Sequence, residues 1–188
     1  MSSSSARQVI IETASELFYK NGYNLTGINE IIREAGIAKA TLYNNFKSKD
    51  DICIAYLNYK HSRFISAFVE ATNAAEEGNG QLIAIFDFLL AFYASDDFNG
   101  CWCINTVSEI PKDKMKIIAE IQGQKKELRK VILGLVQKNK PDLSVEQAQS
   151  LASQLYLLYE GAVSESYLLQ ERWPIDTAKF LTKQLLTA

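Results

Sequence analysis

Two short helical patterns meet at one glycine, Gly36, within residues 26–49, and no other stretch restricts the fold of this chain so tightly. Ile28, Ile31 and Ile32 recur at spacings of three and four, so they share one helical face. Thr26 is expected to open this first helix, its hydroxyl accepting a hydrogen bond from an orphan N–H of the first turn. Ala35 is small enough for close helix crossing, and Gly36 supplies the positive φ that stops the helix. Ile37 then plugs the turn. Leu42 and Phe46, four apart, face inward, which leaves Lys39, Ala40, Thr41, Tyr43 and Asn44 facing out. Ser48 is placed to cap the next helix, with Asp51 three residues on. This is the pattern of a helix-turn-helix.

The outward set matches the chemistry of a DNA groove. Lys39 can neutralise a phosphate or reach a guanine edge, and Thr41 and Asn44 can hydrogen-bond to bases or phosphates. Tyr43 offers a phenol to a phosphate, and Ala40 permits close approach. Lys49 lies in the first turn of the following helix, where a cation opposes the dipole, so a phosphate is its natural partner.

These residues resemble the TetR (tetracycline-repressor-like) family of bacterial transcription regulators. The likeness begins at Ile10, Ile11, Ala14, Leu17, Phe18, Gly22 and Tyr23. It continues through Thr26, Ile28, Ala35, Gly36, Ile37, Thr41, Leu42, Tyr43, Phe46, Ser48 and Lys49. It covers about the first third of the chain in register. Many relatives carry Ser where this chain has Ala38 and Gly where it has Ala40. Ala38 forgoes a side-chain cap, a loss of ~1 kcal/mol; the Ala40 methyl can meet a thymine methyl.

The resemblance implies an all-α fold of about nine helices. Residues 1–49 would form a three-helix DNA-binding domain, and residues 50–188 a ligand-binding and dimerisation domain. By motif position it implies DNA contacts at Thr26, Lys39, Thr41, Tyr43, Asn44 and Lys49, with Ala40 facing the groove. It also implies a homodimer through helices at 144–170 and 175–187. DNA logic agrees, since one short recognition helix reads too few bases and two heads about 34 Å apart read a near-palindrome. The expected function is a ligand-responsive regulator, a repressor released from its operator by a small-molecule effector. A helical interaction module that has lost DNA binding is the alternative.

Charge supports this division mildly. Residues 1–63 carry eight Lys/Arg and six Asp/Glu, whereas residues 64–188 carry twelve and sixteen. The longest apolar run, Leu82–Ala94, is too short to cross a membrane and contains Asp87. The Ser-rich start has no apolar segment of signal-peptide type behind it, so a cytoplasmic protein is expected, with residues 1–5 fraying.

The body reads as helices throughout. Periodicity and prolines place them from about Asp50 into the low seventies, at Gln81–Tyr93, Cys101–Ile110 and Lys112–Lys138, then from Ser144 toward Leu169 and from Pro174 on. Ser144 with Gln147 forms a capping box. The nearly all-apolar helix at Gln81–Tyr93 is expected to be buried. Phe86, Phe92, Tyr93, Trp102, Tyr156 and Tyr159 are candidates to line an apolar ligand cavity, with Asn105, Glu109 and Glu160 as polar anchors. A carboxylate there would favour a cationic ligand.

Cys53, Cys101 and Cys103 form no disulfide or zinc pattern and are expected to pack. His61, the one histidine, is expected on a solvated face. Without a triad, a metal cluster or a phosphate loop, the sequence argues against an enzyme and implies no cofactor.

Overall fold

The computed structural model describes residues 5–187. Among them it contains nine α-helices and no strand, an all-α fold. The helices are α1 (Ala6–Asn21), α2 (Ile28–Glu34), α3 (Lys39–Asn45), α4 (Lys49–Ala74), α5 (Asn79–Tyr93), α6 (Trp102–Glu109), α7 (Met115–Asn139), α8 (Val145–Leu169) and α9 (Trp173–Thr187). Residues 1–4, most of the segment expected to fray, lie outside the described residues. Ser5 is ordered by a task of its own, since its hydroxyl caps α1 by accepting from the Gln8 N–H at 3.3 Å.

The chain forms two compact units. The first is Met1–Arg63 with Trp102–Gly123, and the second is Phe64–Cys101 with Gln124–Ala188. In the first, α1 packs on α2 and α3, which pack on each other. Ile10, Ala14, Phe18, Ile31, Leu42 and Phe46 make its apolar centre, and Ile52, Cys53, Tyr56 and Leu57 from α4 extend it. The inward positions of Leu42 and Phe46 thus follow the sequence periodicity. Gly36 adopts φ +63°, as the turn requires.

Three local expectations change. Thr26 does not cap α2; the cap position is Gly27, whose N–H donates to the Glu30 carboxylate at 3.3 Å. The Thr26 side chain is instead fully buried and its hydroxyl donates to the Gly22 carbonyl at 2.8 Å, which ties the α1–α2 turn to itself. His61 is buried rather than solvated, because it lies four residues after the fully buried Leu57 on the inner face of α4. Glu109, considered as a ligand anchor, is committed to the head, where its carboxylate accepts from the Asn24 backbone N–H at 2.9 Å and its carbonyl from the Asn24 amide at 2.8 Å.

In the second unit α5 packs against α8 and α9, which pack against each other. Leu82, Ile85, Phe86 and Leu89 seat one face of α5 in the core, with Gln81 and Ala84 buried beside them, so the helix is largely buried as its composition suggests. Phe64, Phe68, Phe88 and Tyr159 form a cluster of tilted and edge-on rings, with centroids 5.5–6.3 Å apart. Asn139 pins the turn before α5, accepting from the Gly78 N–H at 2.6 Å and donating to Gln81 at 2.9 Å. The Ser144–Gln147 capping box forms as expected, with reciprocal bonds of 3.2 and 2.8 Å.

Candidate nucleic-acid interface

α3 has seven residues, too few to be stable without tertiary support. Leu42, together with Phe46 just past the helix end, supplies that support, and Arg7 covers the Phe46 ring at 5.1 Å. Ala38 occupies the cap position with no side-chain hydrogen bond, so the first turn of α3 keeps orphan N–H groups. Lys39, Ala40, Tyr43 and Asn44 form one exposed face, with Tyr43 45% exposed. Thr41 lies at its half-buried edge. The Lys39 ammonium sits 6.0 Å from the Tyr43 ring centre, so the two share one patch.

Lys49 differs from the rest of its set. It is half-buried, and its ammonium lies 4.2 Å from the centre of the Tyr23 ring. Burial depresses its pKa, against the opposing influence of nearby acidic groups including Asp50. The Tyr23 hydroxyl donates to Asp50 at 2.5 Å, and Lys114 pairs with the other oxygen at 2.8 Å. Burial pushes the Asp50 carboxyl up, but the bonds from Lys114 and Tyr23 and the charges of Lys114 and Lys49 outweigh it and hold its pKa low. Thr26, being wholly buried, is the one residue of the expected contact set that the fold keeps inside the head.

The exposed Lys47, just beyond α3, extends the patch and escaped the motif-based reading. The signal for it was present: between Glu34 and Asp50 the chain has three lysines and no carboxylate.

The eight residues considered for a ligand cavity are divided between the two units. Trp102 and Asn105 belong to the first unit, and the other six to the second. Phe86 is fully buried and Tyr159 belongs to the aromatic cluster. Phe92 and Tyr93 both meet Phe98 edge-on at 5.2 and 5.1 Å. Tyr156 and Glu160 lie one turn apart on α8. Glu160 is met by Lys125, whose ammonium is 2.6 Å from both carboxylate oxygens and 3.1 Å from the Cys101 sulfur. Burial raises the Glu160 pKa despite the ammonium. A lone acid awaiting a cation is therefore not what this position presents. Among the described residues all three cysteines are buried and none is in a disulfide, and desolvation pushes the Cys53 thiol up to about 12.

α8 and α9 leave an apolar groove of about 570 Å³ lined by Leu157, Leu158, Leu181 and Leu185 with Gln154 and Gln184. Leu157 is 68% exposed and the neighbouring Phe180 58%. No helix is long and apolar enough to cross a membrane among the described residues.

The sequence matches the family model of bacterial regulatory proteins of the tetR family over residues 10–56. The uncharacterised helix-turn-helix regulator YuxN of Bacillus subtilis is 26% identical over 86% of this chain and 53% of its own length. QacR, a helix-turn-helix regulator of Staphylococcus aureus, is 40% identical over 29% of each chain. The chain spans about half the length, or less, of the curated relatives it matches. Among solved structures, a TetR-family regulator from Streptomyces coelicolor superposes with a TM-score of 0.85 at 24% identity, covering 97% of this chain and 94% of that one. A TetR regulator from Chloroflexus aurantiacus gives 0.82 at 23% identity over 97% and 94%. Residues 10–56 thus match the tetR family model, and the nine helices of the described residues have the fold of TetR-family regulators.

Proposed function

We propose that this protein is a cytoplasmic, ligand-responsive transcription regulator and not an enzyme. As a homodimer it binds a near-palindromic operator and represses transcription until a small molecule releases it. The observation that carries this reading is the outward face of α3. Lys39, Ala40, Tyr43 and Asn44 are exposed on one side of a short helix, in a fifteen-residue stretch without a carboxylate. An α-helix is about 10–12 Å across with its side chains, which fits a major groove about 12 Å wide. Residues 1–49 act as the DNA-binding domain and residues 50–188 as the ligand-binding and dimerisation domain. Thr41 and Asn44 read bases, Ala40 approaches a thymine methyl, and Lys39, Tyr43, Lys47 and Lys49 bind phosphates. The apolar groove between α8 and α9 supports dimerisation through those helices.

Within the second unit, Phe86, Phe92, Tyr93, Tyr156 and Tyr159, with the Lys125–Glu160 pair, serve the effector. The head is bonded to α6 through Asn24 and Glu109, and to the residue before α7 through Asp50 and Lys114. These bonds, with the continuous α4, offer routes by which a ligand can bias the head. The ligand must bind one state more tightly than the other for that equilibrium to shift.

Selection of random duplex DNA on the purified protein tests this reading. The expected result is a near-palindromic site. Tyr43→Ala should weaken binding about equally on every sequence, and Asn44→Ala should relax preference at one base pair per half-site. No enrichment at low salt, from protein shown to carry no bound effector, would overturn it.

A further inference from the structure

The second unit is acidic, with nine Lys/Arg against thirteen Asp/Glu, yet one groove in it is basic. The groove lies between α7 and α8, shares no lining residue with the apolar α8–α9 groove, and has a volume of about 630 Å³. Lys126, Arg129 and Lys130 line one wall at spacings of three and four, so all three point the same way. Gln149 and Ser150 line the other, and Glu146 is its one carboxylate.

The cations here are not spent on carboxylates. Among the described residues none of the three lies within ion-pair distance of an acid, whereas Lys125, Lys138, Lys179 and Arg172 of the same unit each have one. Like charges three and four residues apart on a helix repel, so a polyanion placed between them would relieve that repulsion. The Arg129 guanidinium lies 5.9 Å from the Tyr156 ring centre, which restrains it before any ligand arrives. The Ser150 hydroxyl accepts from Gln154 at 3.2 Å and keeps its own proton to donate. Glu146 is engaged at the groove end by the Ser144 hydroxyl at 2.9 Å.

We propose that this groove binds a small molecule bearing a phosphate or pyrophosphate group. The planar fork of Arg129 matches two phosphate oxygens, and Lys126 and Lys130 add point charges on the same side. Gln149 and Ser150 bond to the remainder of the molecule. The volume is that of an ordinary small-molecule site. This proposal is independent of the operator reading, because the groove lies on residues that reading does not use.

Titration calorimetry of the full chain, free of DNA, with inorganic pyrophosphate at low salt tests it. The lysines of the head offer a second place for a polyanion, so two variants are compared. The triple change Lys126→Gln, Arg129→Gln and Lys130→Gln should weaken binding at least tenfold, while Lys39→Gln with Lys47→Gln should leave it within twofold. Circular dichroism checks that each variant is folded. If the triple variant is not, Arg129→Lys, which keeps the charge and loses the fork, should still cost several-fold. Pyrophosphate that fails to bind the unaltered protein, or that is lost with the head variant and kept by the groove variant, would overturn the proposal.

Discussion

Gly22→Ala should cost more than any substitution its small size suggests. Gly22 closes α1, donating to the Phe18 carbonyl at 3.0 Å, and sits at φ +86°, ψ +167°. That region of backbone space is essentially reserved for glycine, and a side chain there costs about 1–3 kcal/mol. A methyl at this position would also lie 2.2 Å from one Glu109 carboxylate oxygen and 2.6 Å from the other. The carboxylate ends a flexible side chain and can swing aside, so the collision itself is cheap. What it loses is the bond to the Asn24 N–H, worth about 1 kcal/mol for a charge-assisted bond open to solvent. The total is about 2–4 kcal/mol, read as the loss of unfolding free energy in urea at one fixed protein concentration. A double-mutant cycle separates the two parts. Glu109→Ala alone should cost about 1 kcal/mol, and the double variant should fall short of the sum by about that amount. Strict additivity, or a Gly22→Ala loss below about 0.5 kcal/mol, would refute the reasoning.

Two further outcomes follow from other parts of the structure. Asp50 is held below its usual pKa, so its bonds to Lys114 and Tyr23 stabilise the fold above the unfolded value near 4 and are lost as pH falls through the depressed one. Thermal unfolding below about pH 4 should therefore steepen with acid in the unaltered protein, and Asp50→Asn should flatten that limb; identical acid limbs would sink the assignment. At the proposed dimer face, Leu157→Glu with Leu185→Glu would bury unpaired charge on both copies. The dimer dissociation constant, measured by sedimentation, should rise at least about a hundredfold, with helix content unchanged. An unchanged constant would place the interface elsewhere.

The helix-turn-helix was legible because its signals are local. Gly36, Leu42, Phe46 and Ser48 act within a few residues, and the structure finds each in its expected part: positive φ, core, core and cap. The same holds for the Ser144–Gln147 box and for the helix boundaries, most of which were anticipated within two residues. Thr26 shows the limit. Its position before a helix suggests a cap and a DNA contact, but its hydroxyl donates backward to the Gly22 carbonyl and the side chain is wholly buried.

Side chains whose roles depend on distant partners were decided by the tertiary structure alone. Glu109 lies 85 residues from Asn24, Lys114 64 from Asp50, and Lys125 35 from Glu160. Nothing in the spacing of one helix says which charge on another will meet it, because that depends on how whole helices cross. The sequence by itself determined that the chain is helical, where the head's recognition helix lies, and which of its residues face out, since periodicity and turn chemistry act over one or two turns. The folded arrangement decided which charges are neutralised and which are left free. It thereby turned three lysines and arginines of α7 from an ordinary polar face into one wall of a basic groove.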